Sequence, residues 1–299
     1  MPPLSALDSA PVWLNTEPLT AEALRGRIVV IDVWTYTCIN WLRTLPYVRA
    51  WHERYGERGL VVVGVHAPEF SFEHELDNVR RATGELGVGY PVVIDNDFRI
   101  WQAFENHYWP AVYLVDGEGR VRFHHFGEGA YEETERAIQT LLGIDEETAR
   151  VDADGLAEAA DWDTLRSPET YVGFAQGERR SGRPADMLAL NQWMLGGDWS
   201  VGAEAAVLDA APGSIAYRFQ ARDLNLVLKP PASGPARFSV TLDGGPPGDA
   251  HGLDVDASGE GTVSEPRMYQ LVRQPGGAGR TFEITFRDAG VSAYVFTFG

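Results

Sequence analysis

Across 299 residues the chain has one cysteine, Cys38, and one lysine, Lys229. A single thiol excludes an internal disulfide, and with it a disulfide-stapled scaffold. The near-absence of lysine among 25 basic residues reads as the mutational bias of a GC-rich genome rather than as chemistry. No apolar run approaches the ~20 residues a membrane helix needs, so no membrane insertion is expected. The opening residues 1–10 have neither a basic n-region nor an apolar h-region. No secretory signal is therefore expected, and with one cysteine the expected setting is a reducing cytoplasm. Positive charge is short as well. A net charge of -18 and a pI near 4.7 argue against nucleic acid or an anionic membrane as partner.

What is present is ordinary for a globular protein, with 44% hydrophobic and 23% charged residues in a length that suggests two domains. Residues 28–34, Ile-Val-Val-Ile-Asp-Val-Trp, read as a strand covered on both faces. A helix is expected from about Asn40 to Tyr55, on the spacing of Leu42, Leu45, Val48 and Trp51. Strands follow at 60–65 and 91–94, with helical stretches at 71–86 and 98–104. Residues 111–115 and 120–126 predict a hairpin across Asp116-Gly117-Glu118-Gly119, and 131–142 an amphipathic helix. This order predicts an α/β domain over 1–143, a central mixed sheet flanked by helices. Residues 144–166 read as a linker. From 167 to 299, short β-rich runs between Gly/Pro turns predict an all-β, jelly-roll-like sandwich.

Cys38 sits where the first strand run gives way to a helical pattern, in Asp32-Val33-Trp34-Thr35-Tyr36-Thr37-Cys38-Ile39-Asn40-Trp41. Asp32 lies six residues before the cysteine and Trp34 four before it, and Trp109-Pro110 precedes the strand at 111–115. On these positions, and on the extra helix between the second and third strands, the first domain resembles the TlpA-like (redoxin) branch of the thioredoxin superfamily. The two-domain layout is similar to the soluble C-terminal part of the mycobacterial-type DipZ proteins, whose second domain is likened to carbohydrate-binding modules. The resemblance implies thiol chemistry at Cys38, a buried acid at Asp32 and a cis proline at Pro110 facing the thiol. It departs in two places: where C-x-x-C would put a resolving thiol this chain has Trp41, and the membrane-embedded electron-transfer unit of the DipZ layout is not found in this sequence, so no built-in electron donor is expected.

A lone cysteine is more often an inert buried residue than a nucleophile. Here its position at a helix start supplies the macrodipole and unpaired N–H groups that favour a thiolate. Tyr36, Thr37, Trp41 and Trp109 are expected to line a substrate groove, against the alternative that such aromatics are core. Thr35, His66 and Glu69 are auxiliary candidates, as is Arg43. Thr35 makes a partial echo of the peroxiredoxin pattern P-x-x-x-T-x-x-C, with Ile31 in the proline position. No cofactor or resident metal is expected, and His124-His125 point to opposite strand faces. In the second domain Asp254, Asp256, Ser258 and Glu265 fit a calcium-loop spacing without its helices. Trp193 and Trp199 are either a sugar-stacking platform or core.

Three functions stay open at this point. The leading one is a thiol oxidoreductase in which Cys38 forms a mixed disulfide with a thiol or disulfide substrate, resolved by an external reductant. The others are a one-cysteine peroxidase and a redox-silent protein that holds a protein or carbohydrate ligand.

Overall fold

A computed structural model describes residues 3–152 and 155–299. The chain divides into two compact units, residues 1–158 and 159–299.

The first unit is built on β1 (Trp13–Leu14), β2 (Ile28–Trp34), β3 (Leu60–His66), β4 (Val92–Ile94), β5 (Ala111–Val115) and β6 (Val121–Phe126). They form one sheet in the order β1-β4-β3-β2-β5-β6. β2 pairs parallel with β3 and antiparallel with β5, so the sheet is mixed. β2 and β3 are buried almost end to end, which explains their Val/Ile-rich composition: both faces of a central strand must be apolar. The helices are α1 (Ile39–Tyr55), α2 (Leu76–Glu85), α3 (Arg99–Ala103) and α4 (Tyr131–Leu142). In α1 the buried face carries Ile39, Trp41, Leu42, Leu45, Val48, Trp51 and Tyr55. Each such side chain is worth ~1.5–3 kcal/mol when fully buried, and this spacing turns the run into a helix docked on the sheet.

Two local features differ from the expectation. The helical stretch at 71–86 breaks into a 3-10 turn, Ser71–His74, and α2, because Glu75 adopts extended angles between them. The short edge strand β1 has too few residues to show periodicity. Residues 145–152 form no regular element, yet they are tied to the first unit. Ala149 N–H donates to Glu135, and Arg54 and Arg58 pair with Glu146.

In the second unit β7 (Thr170–Tyr171), β8 (Trp193–Val201), β9 (Ala206–Gln220), β10 (Asp223–Lys229), β11 (Ala236–Leu242), β12 (Glu260–Val263), β13 (Arg267–Arg273), β14 (Gly279–Phe286) and β15 (Ser292–Phe298) are hydrogen-bonded into one antiparallel sheet. The expected sandwich strands are thus joined as a half-barrel around an aromatic-rich core that includes Tyr217, Phe219, Phe238, Phe282, Phe286 and Phe296. The 15-residue β9 makes this continuity possible, since residues 213–220 pair with β14 and residues 206–207 with β15. No helix among the described residues is long and apolar enough to cross a membrane.

Candidate functional site around Cys38

Strand β2 ends at Trp34, and Thr35-Tyr36-Thr37-Cys38 turns the chain into α1. Cys38 N–H donates to the Thr35 carbonyl (3.3 Å), closing the turn. Cys38 is the N-cap of α1, with extended angles (φ -75°, ψ 114°), and its carbonyl accepts the Leu42 N–H at 3.0 Å. The residue is half-buried. A thiol there meets the positive end of the helix while keeping access to solvent.

Sheet register gathers other segments at this end. Trp34 pairs with His66, and Ala67 N–H donates to the Trp34 carbonyl at 3.0 Å. Val33 pairs with Ala111 across the antiparallel β2–β5 ladder, which sets Pro110 beside Trp34. The Trp109–Pro110 peptide is cis. The Pro110 carbonyl accepts Gly127 N–H (2.8 Å), and the Trp109 indole N–H donates to the Ala67 carbonyl (3.0 Å).

Beneath the turn lies a buried carboxylate. Asp32, in the middle of β2, is wholly inaccessible. Its Oδ2 accepts the Trp41 indole N–H (3.1 Å) and the Tyr90 hydroxyl (3.0 Å). Oδ1 has no protein donor among the described residues. Burial pushes the Asp32 carboxyl up to about 6, with the Trp41 and Tyr90 hydrogen bonds holding it from rising further. Trp41 therefore does more than displace a thiol. It lies flat on Trp34, with ring centroids 4.1 Å apart and planes at 18°, and caps the buried Asp32 carboxylate with its indole N–H. Space for this stack comes from Gly64, adjacent to Asp32 in the ladder. A Cβ there would meet Trp34 Nε1 at 2.8 Å and Tyr90 at 2.9 Å.

A second buried carboxylate, Glu73, was not among the residues the sequence singles out. Its Oε1 accepts the Thr37 hydroxyl at 2.6 Å, and its Oε2 accepts Glu69 N–H (2.6 Å) and Phe70 N–H (2.9 Å). Burial raises its pKa, and the Thr35 and Thr37 hydroxyls and the two amides oppose the rise. Glu69 thus contributes through its backbone to a loop anchor. Arg43, on α1, forms a buried ion pair with Glu128 (3.0 Å), the residue after Gly127, and so ties the helix to the chain that holds Pro110.

Several expectations need correction. Tyr36, Thr37 and Trp41 do not wall an open groove: they are 4%, 2% and 0% exposed. Aromatic area is cheaper buried than wet, and here it packs inward. Tyr36 stacks over His66 and contacts Phe72. Trp109 is half-buried against Trp101. His66 is fully buried, and neither ring nitrogen has a protein partner among the described residues. Burial first, and then the charge of His74, pushes its pKa down to about 3, so the ring is neutral and held by Trp34 and Tyr36 rather than by substrate. Thr35 is likewise fully buried.

In the second unit the calcium spacing does not close on a centre. Asp254 pairs with Arg267 (2.6 Å) and accepts Gln270 N–H, while Asp256 Oδ1 accepts the N–H groups of Ser258 and Glu260 and the Ser258 hydroxyl. Glu265 is engaged through its backbone by the Tyr269 hydroxyl. These are turn and ion-pair bonds, which Asp and Ser make by their own chemistry. Trp193 is 1% exposed and donates to the Glu178 carbonyl, and Trp199 packs on Phe286 and donates to the Gly196 carbonyl. Both are packing residues, so no stacking platform stands on them.

Comparison with known proteins fits this geometry. Residues 8–124 match the AhpC/TSA family, and residues 167–299 match the thioredoxin like C-terminal domain. Protein DipZ of Mycobacterium tuberculosis is 32% identical over 303 residues, 96% of this chain and 41% of that protein; the chain spans less than half the length of this relative. NHL repeat-containing protein 2 of Homo sapiens is 38% identical over 120 residues, 39% of this chain and 16% of its own. Thiol-disulfide oxidoreductase YkuV of Bacillus subtilis is 26% identical over 140 residues, 47% of this chain and 94% of its own. The chain thus joins an AhpC/TSA-family domain, residues 8–124, to a thioredoxin like C-terminal domain, residues 167–299.

Proposed function

We propose that the first unit carries out thiol–disulfide exchange through Cys38 alone. The observation that supports this reading most is the pairing of a half-buried thiol at the N-cap of α1 with a buried tryptophan in the resolving position. The Cys38 thiolate attacks one sulfur of a substrate disulfide, an S–S bond forms to Cys38, and the other substrate sulfur leaves as a thiolate. A second, external thiolate then attacks the adduct. It becomes oxidised in the new disulfide it makes with the substrate sulfur, and Cys38 leaves as thiolate again. Since Trp41 offers no second thiol, the adduct persists until that outside thiol arrives. A reducing compartment such as the cytoplasm supplies one.

The AhpC/TSA match favours a second reading, peroxide reduction to a Cys38 sulfenic acid. That chemistry gains factors of ~100 to 1,000 from donors aimed at the O–O bond. Thr35 is wholly buried and Arg43 is held by Glu128, so neither is placed to serve a peroxide. Stopped-flow mixing of the full chain with glutathione disulfide and with hydrogen peroxide, alongside Cys38→Ser, tests the choice. Exchange predicts one glutathione per chain by intact mass, no adduct on the variant, and a peroxide rate no better than that of an ordinary thiolate. Peroxide turnover that is fast in the wild type and lost in the variant would replace exchange with the peroxidase reading.

A further inference from the structure

We propose that Glu73 is a positioning residue for Cys38, acting through Thr37; the proposal rests on the exchange reading of that thiol. The turn that delivers the cysteine is gripped from one side by a single short segment. Tyr36 stacks on His66 and meets Phe72, and the next residue, Thr37, donates its hydroxyl to Glu73 at 2.6 Å. Thr37 is the residue immediately before the nucleophile. Its side chain is therefore the last tether before the helix N-cap.

The two carboxylate oxygens have separate tasks. Oε2 takes the Glu69 and Phe70 amides and fixes the loop after β3. That alone would orient the side chain and needs only one oxygen. Oε1 is turned toward β2 and α1 and has Thr37 as its donor. A residue that merely capped its own loop would gain nothing from a fully buried second oxygen, which costs free energy unless a donor reaches it. The Thr37 hydroxyl meets that cost, with the Thr35 hydroxyl of the same turn also favouring the charged carboxylate, and the Thr37 bond joins the loop to the cysteine turn. Both residues are at most 2% exposed, so water does not compete for the bond. Its loss frees the turn to move Cys38 off the helix axis, and small misplacements of a reacting atom are expensive in rate.

The test uses the full chain with Thr37→Val, which keeps the shape and deletes the donor, Thr37→Ser, which keeps the donor, and Glu73→Gln. Two reagents separate this proposal from the exchange reading. Iodoacetamide reports the thiol itself and glutathione disulfide reports exchange. In Thr37→Val the midpoint of the alkylation pH profile should rise by about half a unit, the size of a helix-end effect on a thiolate. The glutathione disulfide rate should fall about tenfold. Thr37→Ser should restore both, which a purely structural role for the buried methyl would not do. Adding Glu73→Gln to Thr37→Val should slow exchange no further, since Thr37→Val has already removed the link through which residue 73 acts.

Wild-type behaviour in Thr37→Val, failure of Thr37→Ser to restore it, or effects that multiply in the double variant would each overturn the assignment. Should Glu73→Gln fail to fold, the Thr37 pair decides on its own. A wild type that alkylates but takes up no glutathione would defeat the exchange reading, while the alkylation midpoint would still judge Glu73 and Thr37.

Discussion

Replacing Asp32 by Asn should stabilise the first unit at neutral pH and lose that advantage in acid. Burial pushes the carboxyl up to about 6 in the fold from an ordinary 3.8, so it is an acid whose folded pKa is raised. Between those values the native state holds a proton that the unfolded chain gives up. Stability therefore falls as pH rises from about 4 to about 6 and stays low above that. A displacement of roughly two units corresponds to about 3 kcal/mol at pH 7.5, most of which is absent at pH 4. Asn removes this penalty at a cost of its own. One amide hydrogen pair would occupy the place of Oδ1, which has no partner among the described residues, for ~1–3 kcal/mol at any pH. The net gain at pH 7.5 is thus small, but the difference between the two pH values remains about 2 kcal/mol. Urea unfolding followed by the helical circular dichroism signal reads the first unit selectively, because α1 to α4 all lie there. A stability difference between Asp32→Asn and wild type that is the same at pH 4 and pH 7.5 would refute the linkage argument.

Trp41→Cys places a thiol at the resolving position but removes an indole that stacks on Trp34 and donates to Asp32. It should cost ~3–5 kcal/mol in the same urea assay, and a loss below about 1 kcal/mol would contradict the buried stack. Arg43→Met leaves Glu128 buried without its cation and should cost ~3–5 kcal/mol at pH 7, less as pH falls and the lone acid keeps its proton. Arg43→Met with Glu128→Leu should recover most of that loss; a double variant as unstable as the single would show that the cost is packing and not charge.

Period and composition made much of the architecture legible. The strands at 28–34 and 60–66 and the helix at 39–55 emerged within a residue or so, because uninterrupted apolar runs and helical spacing mark central elements. The position of Cys38 at the junction of β2 and α1 followed from the same change of period. What stayed hidden depends on contacts between distant residues. Glu73 lies 36 residues from Thr37 in sequence, and nothing in Ser71-Phe72-Glu73-His74 marks one carboxylate as buried. The same holds for Glu128 and its partner Arg43, 85 residues apart. Tyr36 and Trp41 were read outward because aromatics near a thiol suggest a docking wall. Their actual direction is set by Gly64 and His66, on a strand that sequence places no nearer than 23 residues away. In the second unit, the β-rich runs between turns suggest only short strands, whereas β9 runs for 15 residues. Its full length, which lets one sheet close around the core, begins in a segment of alternating exposure that carries little apolar signal.

The Trp34–Trp41 stack, with Trp34 and Tyr90 closing over Gly64, also bears on how such a site can change over generations. Enlarging residue 64 is closed while Trp34 and Tyr90 stand within 3 Å of where a Cβ would go. Shrinking residue 41 opens a hole that nothing at 64 is large enough to fill. Each single step is thus penalised, although two or more together could restore a filled interior. A lineage that acquires tryptophan at 41 is consequently held there by its own interior, and a return to a dithiol requires compensating substitutions first. Selection for a second sulfur would have to act on a background already repacked to receive it.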